Sequence, residues 1–238
     1  GLTGIAMRPD LKAYDFEVMQ REATAGAYSM ADELGLPRPK NVTTVKPSGT
    51  LSKIMDATEG MHKPLSKYIL NNVQFSMHDP LVPKMRAAGY RVTPHPSDAA
   101  SVLAALPVAW TDVEFDRVGD LEVNLESAVS QLGRYLALMT HWCQQNVSST
   151  ISYSPDEVPA IIDWLLAHWD SYVGVSFLLR ADPTKTADDL GYSYLPQQPV
   201  TKEQYDQYVA RLGELNVDDA LVPDALEDDC AGGACPIR

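Results

Sequence analysis

From Phe16 the apolar positions Met19, Ala23, Ala27, Met30 and Leu34 follow one another at alternating spacings of three and four. This puts them on one face of an amphipathic helix that Gly35 brings to a stop. Such a face predicts packing against a sheet. Residues 41–46 read as a short strand running directly into Pro47, Ser48, Gly49 and Thr50, and a strand feeding a turn is where ligand loops sit. Residues 68–76 have strand-like composition despite Asn71 and Asn72. Pro80, Pro83 and Gly89 then punctuate a helical turn, and residues 90–93 look extended. Residues 95–123 fit several arrangements and yield no element.

Farther along, Val129, Leu132, Leu136, Met139 and Cys143 share a helical face. Val147, Ser149, Ile151 and Tyr153 alternate with Ser148, Thr150 and Ser152, a strand with one hydroxyl-lined face that suggests a wet interior. Ser154 reads as an N-cap, Pro155 as the first helical position and Glu157 as the partner in a capping box. The helix they open is expected to turn Val158, Ile161, Ile162, Leu165 and Trp169 inward. The apolar run 172–179 reads as a buried strand, so helix and strand alternate as in an α/β architecture. A last helix from Thr201, with Gln204 completing a second capping box, puts Tyr205, Tyr208, Val209 and Leu212 on one face.

Composition narrows the function. The chain of 238 residues is 45% hydrophobic, enough for one sizeable core, and its 19 basic and 32 acidic residues leave a formal net charge of -13. That surface repels nucleic acid and anionic membrane, and no apolar stretch is long enough for a membrane helix. The expectation is a soluble, cytoplasmic protein that binds no nucleic acid directly. Gly1 at the start suggests a piece of something longer. From Asn216 onward large apolar residues become few, which predicts a mobile tail.

Two segments carry candidate chemistry. The tail holds Cys230 and Cys235 on either side of Ala231, Gly232, Gly233 and Ala234. The glycines let the two thiols meet in a disulfide, and a dithiol on a mobile arm can exchange with a disulfide in a pocket. A metal half-site is the competing reading, but four intervening residues and no nearby histidine suit zinc poorly. The second segment is Lys46, Pro47, Ser48, Gly49, Thr50, Leu51 and Ser52. Its successive amides and hydroxyls could converge on an anion, although a turn of this composition is more often structural. It is not the phosphate loop of nucleotide hydrolases. Cys143 reads as a buried core thiol, and Trp164 and Trp169 as packing residues. His62 is at least as well explained by a structural hydrogen bond as by a role at this loop, and His78, His95, His141 and His168 show no metal spacing.

Taken together, the run Thr43, Thr44, Val45, Lys46, Pro47, Ser48, Gly49, Thr50, Leu51, Ser52, then Gly60, Met61, His62 and Ser66, Lys67, Tyr68, Ile69, resembles a segment of the adenosylcobalamin-dependent, class II ribonucleotide reductases, particularly the monomeric triphosphate reductases. The run Gln145, Asn146, Val147, Ser148, Ser149, Thr150, Ile151 is similar to a late barrel strand of that family. Thr201, Lys202, Glu203, Gln204, Tyr205 resembles its final helix start, and the terminal cysteine pair closes the match.

The resemblance implies part of a ten-stranded α/β barrel at residues 1–215 and a flexible redox-shuttle tail at 216–238. It implies an enzyme that replaces the ribose 2'-hydroxyl of a ribonucleotide by hydrogen through a thiyl radical made with adenosylcobalamin. The substrate phosphates would sit on Pro47, Ser48, Gly49, Thr50, Leu51 and Ser52. Cys230 and Cys235 would re-reduce the active site and be reduced in turn by thioredoxin or a similar dithiol. No metal ligand is implied. The family's Asn-Pro-Cys-Gly-Glu radical motif does not occur in this sequence, so the chain is expected to be inactive alone and to need an upstream portion as partner. It differs from the family at Leu70, Asn71 and Asn72, where basic residues are expected, and at Arg180, where proline is. The rival reading is a non-catalytic phosphate- or nucleotide-binding module with a regulatory or metal-binding cysteine pair. A stand-alone thiol oxidoreductase would have two residues between its cysteines.

Overall fold

The computed structural model describes residues 1–46 and 48–217, with backbone only at Thr50, Lys53 and Ile54. Its helices are α1 (Ala13–Glu33), α2 (Gly49–Ile54), α3 (Leu81–Ala87), α4 (Ala128–His141), α5 (Val158–Ala167) and α6 (Lys202–Val209). Its strands are β1 (Tyr68–Ser76), β2 (Val92–His95), β3 (Asp98–Ala109), β4 (Asp116–Val118), β5 (Leu121–Val123), β6 (Thr150–Tyr153), β7 (Ser176–Leu179) and β8 (Gln197–Pro199). The chain divides into two units, one of Gly1–Lys67 with Trp110–Thr184, the other of Tyr68–Ala109 with the described residues from Lys185 onward.

The first unit is built on parallel extended segments. Leu2 bridges Val45 and Val45 bridges Val147, both in parallel, and the path from Val147 continues into β6, which pairs in parallel with β7 from Thr150↔Ser176 to Tyr153↔Leu179. Parallel neighbours need long crossovers, and α1 and α5 supply two of them. The α/β alternation read from the sequence is therefore present.

The core of this unit gathers Phe16, Val45, Leu132, Tyr135, Leu138, Val147, Ile151, Ile161 and Trp164. Helix α1 reaches it through Phe16, Met19 and Ala23, whereas Met30 and Leu34, expected on the same buried face, stand exposed. Gly35 at φ +64 and the Leu36 N–H bond to the Ala31 carbonyl (2.9 Å) end the helix where expected. On α4 the buried residues are Ala128, Gln131, Leu132, Tyr135 and Leu138. This face is centred one residue away from the expected one and leaves Val129 exposed. Gln131 made the difference: its amide is buried because it bonds both the N–H and the carbonyl of Ser152 on β6 (3.1 and 2.9 Å).

The capping box expected at Ser154 is present, with the Glu157 carboxylate accepting the Ser154 N–H at 2.7 Å, but it opens a short 3-10 turn, Pro155–Glu157, and α5 itself begins at Val158. Its inward face is corrected. Ile161 and Trp164 are buried with Leu165 against them, whereas Val158, Ile162 and Trp169 are exposed. Positions 161, 164, 165 and 168 form the true stripe, and Trp164 stacks on His168 at 4.3 Å. β7 was expected to be buried, yet all four of its residues are exposed. Among the described residues it pairs only with β6, so one edge and much of its surface lack a neighbour.

The second unit is an antiparallel sheet in the order β2-β3-β1-β8. β1 matches the expected strand and pairs with β3 from Tyr68↔Ala109 to Ser76↔Ser101. Asn72 does not interrupt it, because its side-chain amide donates to the Leu195 carbonyl (2.7 Å) beside β8. α6 starts at the expected capping box, Thr201 N–H donating to Gln204 Oε1 at 2.9 Å. It buries Tyr208, whose hydroxyl donates to the Ala105 carbonyl (2.8 Å) and accepts the Arg91 N–H (2.9 Å), while Val209 faces out.

Gly89 ends α3 at φ +86, and a Cβ there would lie 2.8 Å from the Arg211 carbonyl oxygen. Gly89→Ala must therefore accept left-handed strain and push a backbone aside, a loss of about 2–4 kcal/mol. Urea unfolding of the variant measures it, and a loss near zero would contradict the packing described.

Candidate phosphate loop and its surroundings

In an open α/β sheet, ligands collect outside the carboxyl ends of parallel strands. In the first unit three stretches emerge at that end: the turn after Val45, the Ser154–Glu157 turn after β6, and Arg180 after β7. The turn after Val45 contains the candidate residues. Pro47 lies outside the described residues. Ser48 adopts a left-handed backbone, φ +56, and Gly49 begins α2. A left-handed serine costs backbone energy that only a well-held turn sustains.

The hold is visible. Ser52 is fully buried, its N–H donates to the Ser48 carbonyl at 2.9 Å, and its hydroxyl donates to the same oxygen. This corrects the sequence reading in one respect. Ser52 cannot present its hydroxyl proton to a ligand, because that proton closes the turn from inside. Gly49 is also not the residue with special backbone, although a Cβ on it would meet no atom within 4 Å. Leu51 is 50% exposed. Ser48 and Ser52 are thus brought together, Gly49 and Leu51 lie at the surface, and only the backbone of Thr50 is described.

Behind the turn, residues 58–60 pack along the chain start. The Gly4 N–H donates to the Thr58 carbonyl (2.9 Å), the Ile5 N–H to the Gly60 carbonyl (3.1 Å), and the Gly60 N–H to Thr3 Oγ1 (2.9 Å). His62 accepts the Thr150 N–H at Nε2 (2.9 Å), and its Nδ1 lies 3.1 Å from the Glu59 carbonyl. Burial lowers its pKa below the ordinary value.

A charged cluster at the same strand ends was missed in the sequence. Arg180, where the reductase family is expected to have proline, donates to the Glu126 carbonyl (2.6 Å) and the Ser152 carbonyl (3.2 Å) and stands 3.6 Å from Glu157. Arg134 pairs with the Glu126 carboxylate and donates to the Met61 carbonyl (3.1 Å). The one signal for it was an arginine directly after an apolar run.

Cys230 and Cys235 fall outside the described residues. Cys143 is buried, with its thiol 3.7 Å from the Thr43 carbonyl, as a core cysteine should be. Among the described residues no group of three or more His, Cys, Asp or Glu side chains could hold a metal ion, and no helix is long and apolar enough to cross a membrane.

No protein-family model matches the chain. Curated proteins do. An adenosylcobalamin-dependent ribonucleoside-triphosphate reductase of Levilactobacillus brevis is 28% identical over an alignment of 238 residues, covering 94% of this chain and 30% of its own length. The protein of the same name from Lacticaseibacillus paracasei is 28% identical, with 94% and 31% covered. This chain is similar to the adenosylcobalamin-dependent ribonucleoside-triphosphate reductases. It spans about a third of the length of these curated relatives. A crystal structure of a B12-dependent, class II ribonucleotide reductase matches 91% of the chain and 29% of its own, with a TM-score of 0.72 at 22% identity, which establishes a shared fold. The sequence resemblance to these reductases is thereby borne out over nearly the whole chain.

Proposed function

We propose that this chain is the carboxy-terminal portion of a cytoplasmic ribonucleotide reductase, supplying later strands of a ten-stranded α/β barrel, a loop for the substrate phosphates and a redox tail. In this reading residues 1–215 are barrel and 216–238 the shuttle. The observation that carries it is the coincidence of two facts. The chain aligns with triphosphate reductases over nearly its full length, and the turn holding Ser48, Gly49, Leu51 and Ser52 leaves the carboxyl end of a parallel segment, where α/β folds collect ligands. Backbone amides of such a turn are fixed donors for phosphate oxygens, and the surface position of Gly49 allows close approach.

The chemistry is a two-electron reduction. The ribose 2'-hydroxyl leaves as water and is replaced by hydrogen while an active-site cysteine pair is oxidised to a disulfide. The Cys230 and Cys235 thiols then reduce that disulfide by exchange, become a disulfide themselves, and are reduced by thioredoxin or a similar dithiol. Adenosylcobalamin, bound by the complete enzyme, supplies the radical that starts the reaction. Two open clefts of about 460 and 390 Å³ lie in the antiparallel unit, and neither encloses a group the size of a corrin. No step is therefore assigned to this chain's residues through the cofactor.

The upstream portion of the enzyme is the partner this reading requires. Apolar surface left open along α5 and β7, at Ile162, Leu166, Trp169, Leu178 and Leu179, is what a missing neighbour would cover.

Titrating the chain with a ribonucleoside triphosphate while recording backbone amide resonances tests the phosphate site. The shifts should concentrate at Ser48, Gly49, Thr50, Leu51 and Ser52, and inorganic tripolyphosphate should reproduce most of them. Shifts confined to other segments would remove the loop from the proposal.

A further inference from the structure

The turn formed by Glu59, Gly60, Met61 and His62 is tied to four other segments. Gly60 bonds Thr3 and Ile5, the Met61 carbonyl accepts from Arg134 of α4, and His62 Nε2 accepts the Thr150 N–H at the start of β6. Its opposite side meets the residue that leads into the candidate loop. Gly60 sits at φ +53, and a Cβ there would stand 2.8 Å from the Lys46 carbonyl oxygen, so no other residue type fits without moving Lys46.

One of these ties depends on a proton. A backbone N–H can only donate, so His62 Nε2 must be bare when Thr150 bonds to it, and the ring proton then belongs on Nδ1, facing the Glu59 carbonyl at 3.1 Å. Protonating Nε2 would set two N–H groups against each other.

We infer that His62 is a positioning residue: its neutral ring holds the 59–62 turn between Thr150 and Lys46, and its protonation releases Thr150 and shifts the loop that follows Lys46. The consequence for ligand affinity rests on the phosphate-loop reading; the mechanical coupling is a property of the chain itself. Burial is the largest influence on the ring and opposes its charge, Glu59 in the same turn favours the charge, and Arg134 from α4 opposes it. The net direction is a pKa below the ordinary 6.5. Because the unfolded chain takes up the proton first, stability from this ring is complete above the ordinary value and is lost as pH falls toward the folded value.

Backbone amide and histidine ring spectra recorded on the chain from about pH 8 to about pH 5 test the inference. The ring should be the Nδ1–H tautomer at the upper limit. The amides of Thr150, Ser48, Gly49 and Leu51 should then move with one midpoint shared with His62. In His62→Gln, whose side-chain oxygen can accept the Thr150 N–H without titrating, the loop amides should keep their high-pH positions throughout. In His62→Ala they should be displaced at every pH.

Loop amides that stay still while Thr150 titrates would overturn the inference, and the wild-type titration decides this even if a variant fails to fold. Calorimetry with inorganic tripolyphosphate separates the two readings. If the wild-type chain binds none near pH 7.5, the phosphate reading fails and the amide coupling stands or falls on its own. If wild type and His62→Gln bind and weaken in parallel on acidification, the phosphate reading survives and the role of His62 does not. The expected result is a steeper loss of affinity in wild type.

Discussion

Tyr135→Ala is expected to lower the unfolding free energy of the parallel unit by about 3–5 kcal/mol. Tyr135 has no exposed surface and sits on α4 in the middle of the core. Removing the ring leaves a cavity that its neighbours, Leu132, Leu138 and Val147 among them, can fill only by partial collapse. The hydroxyl adds to the loss. It donates to Asn146 Oδ1 (2.9 Å) and accepts the Val173 N–H (3.1 Å), so it joins the approach to β6 to the approach to β7. Tyr135→Phe keeps the packing and strands both partners, for an expected loss of about 1–3 kcal/mol. Urea unfolding with an unchanged m-value would report both figures. A loss of under about 1 kcal/mol for the alanine variant would mean that the core is not organised around this ring.

The same region shows what the sequence could and could not reveal. Helix starts were legible because their signals are local: Ser154 with Glu157 and Thr201 with Gln204 each act within four residues, and both boxes are present. Helix faces were less legible. The α4 stripe was misplaced because a polarity pattern does not count Gln131 as a core residue, yet its amide is satisfied only inside, against Ser152. β3 gave no signal, since a segment rich in alanine and leucine becomes a strand only through its long-range pairing with β1. The run ending in β7 read as buried, yet all four residues of β7 are exposed, because a run of apolar residues does not say how many neighbours a strand has, and among the described residues β7 pairs only with β6.

At the candidate site the turn itself was legible from Lys46, Pro47, Ser48, Gly49 and Thr50. The distribution of tasks within it was not. Which serine bends the backbone and which closes the turn from inside rests on the Ser52 N–H and hydroxyl both reaching the Ser48 carbonyl, a choice between two like residues that residue type does not announce. The charged cluster of Glu126, Arg134, Glu157 and Arg180 is assembled from three separate segments, the α4 region, the turn before α5 and the end of β7, so no spacing could announce it.

In the proposed reading, electrons reach a nucleotide sugar from the Cys230 and Cys235 thiols. The direct measurement is turnover of the chain joined to its upstream reductase portion, with adenosylcobalamin, comparing wild type with Cys230→Ser under two reductants. With thioredoxin the variant should lose nearly all turnover, because a lone Cys235 cannot pass a disulfide outward. With a small diffusible dithiol, which reaches the active-site disulfide unaided, it should retain most of it. Equal retention with both reductants, or equal loss with both, would contradict a shuttle at Cys230 and Cys235.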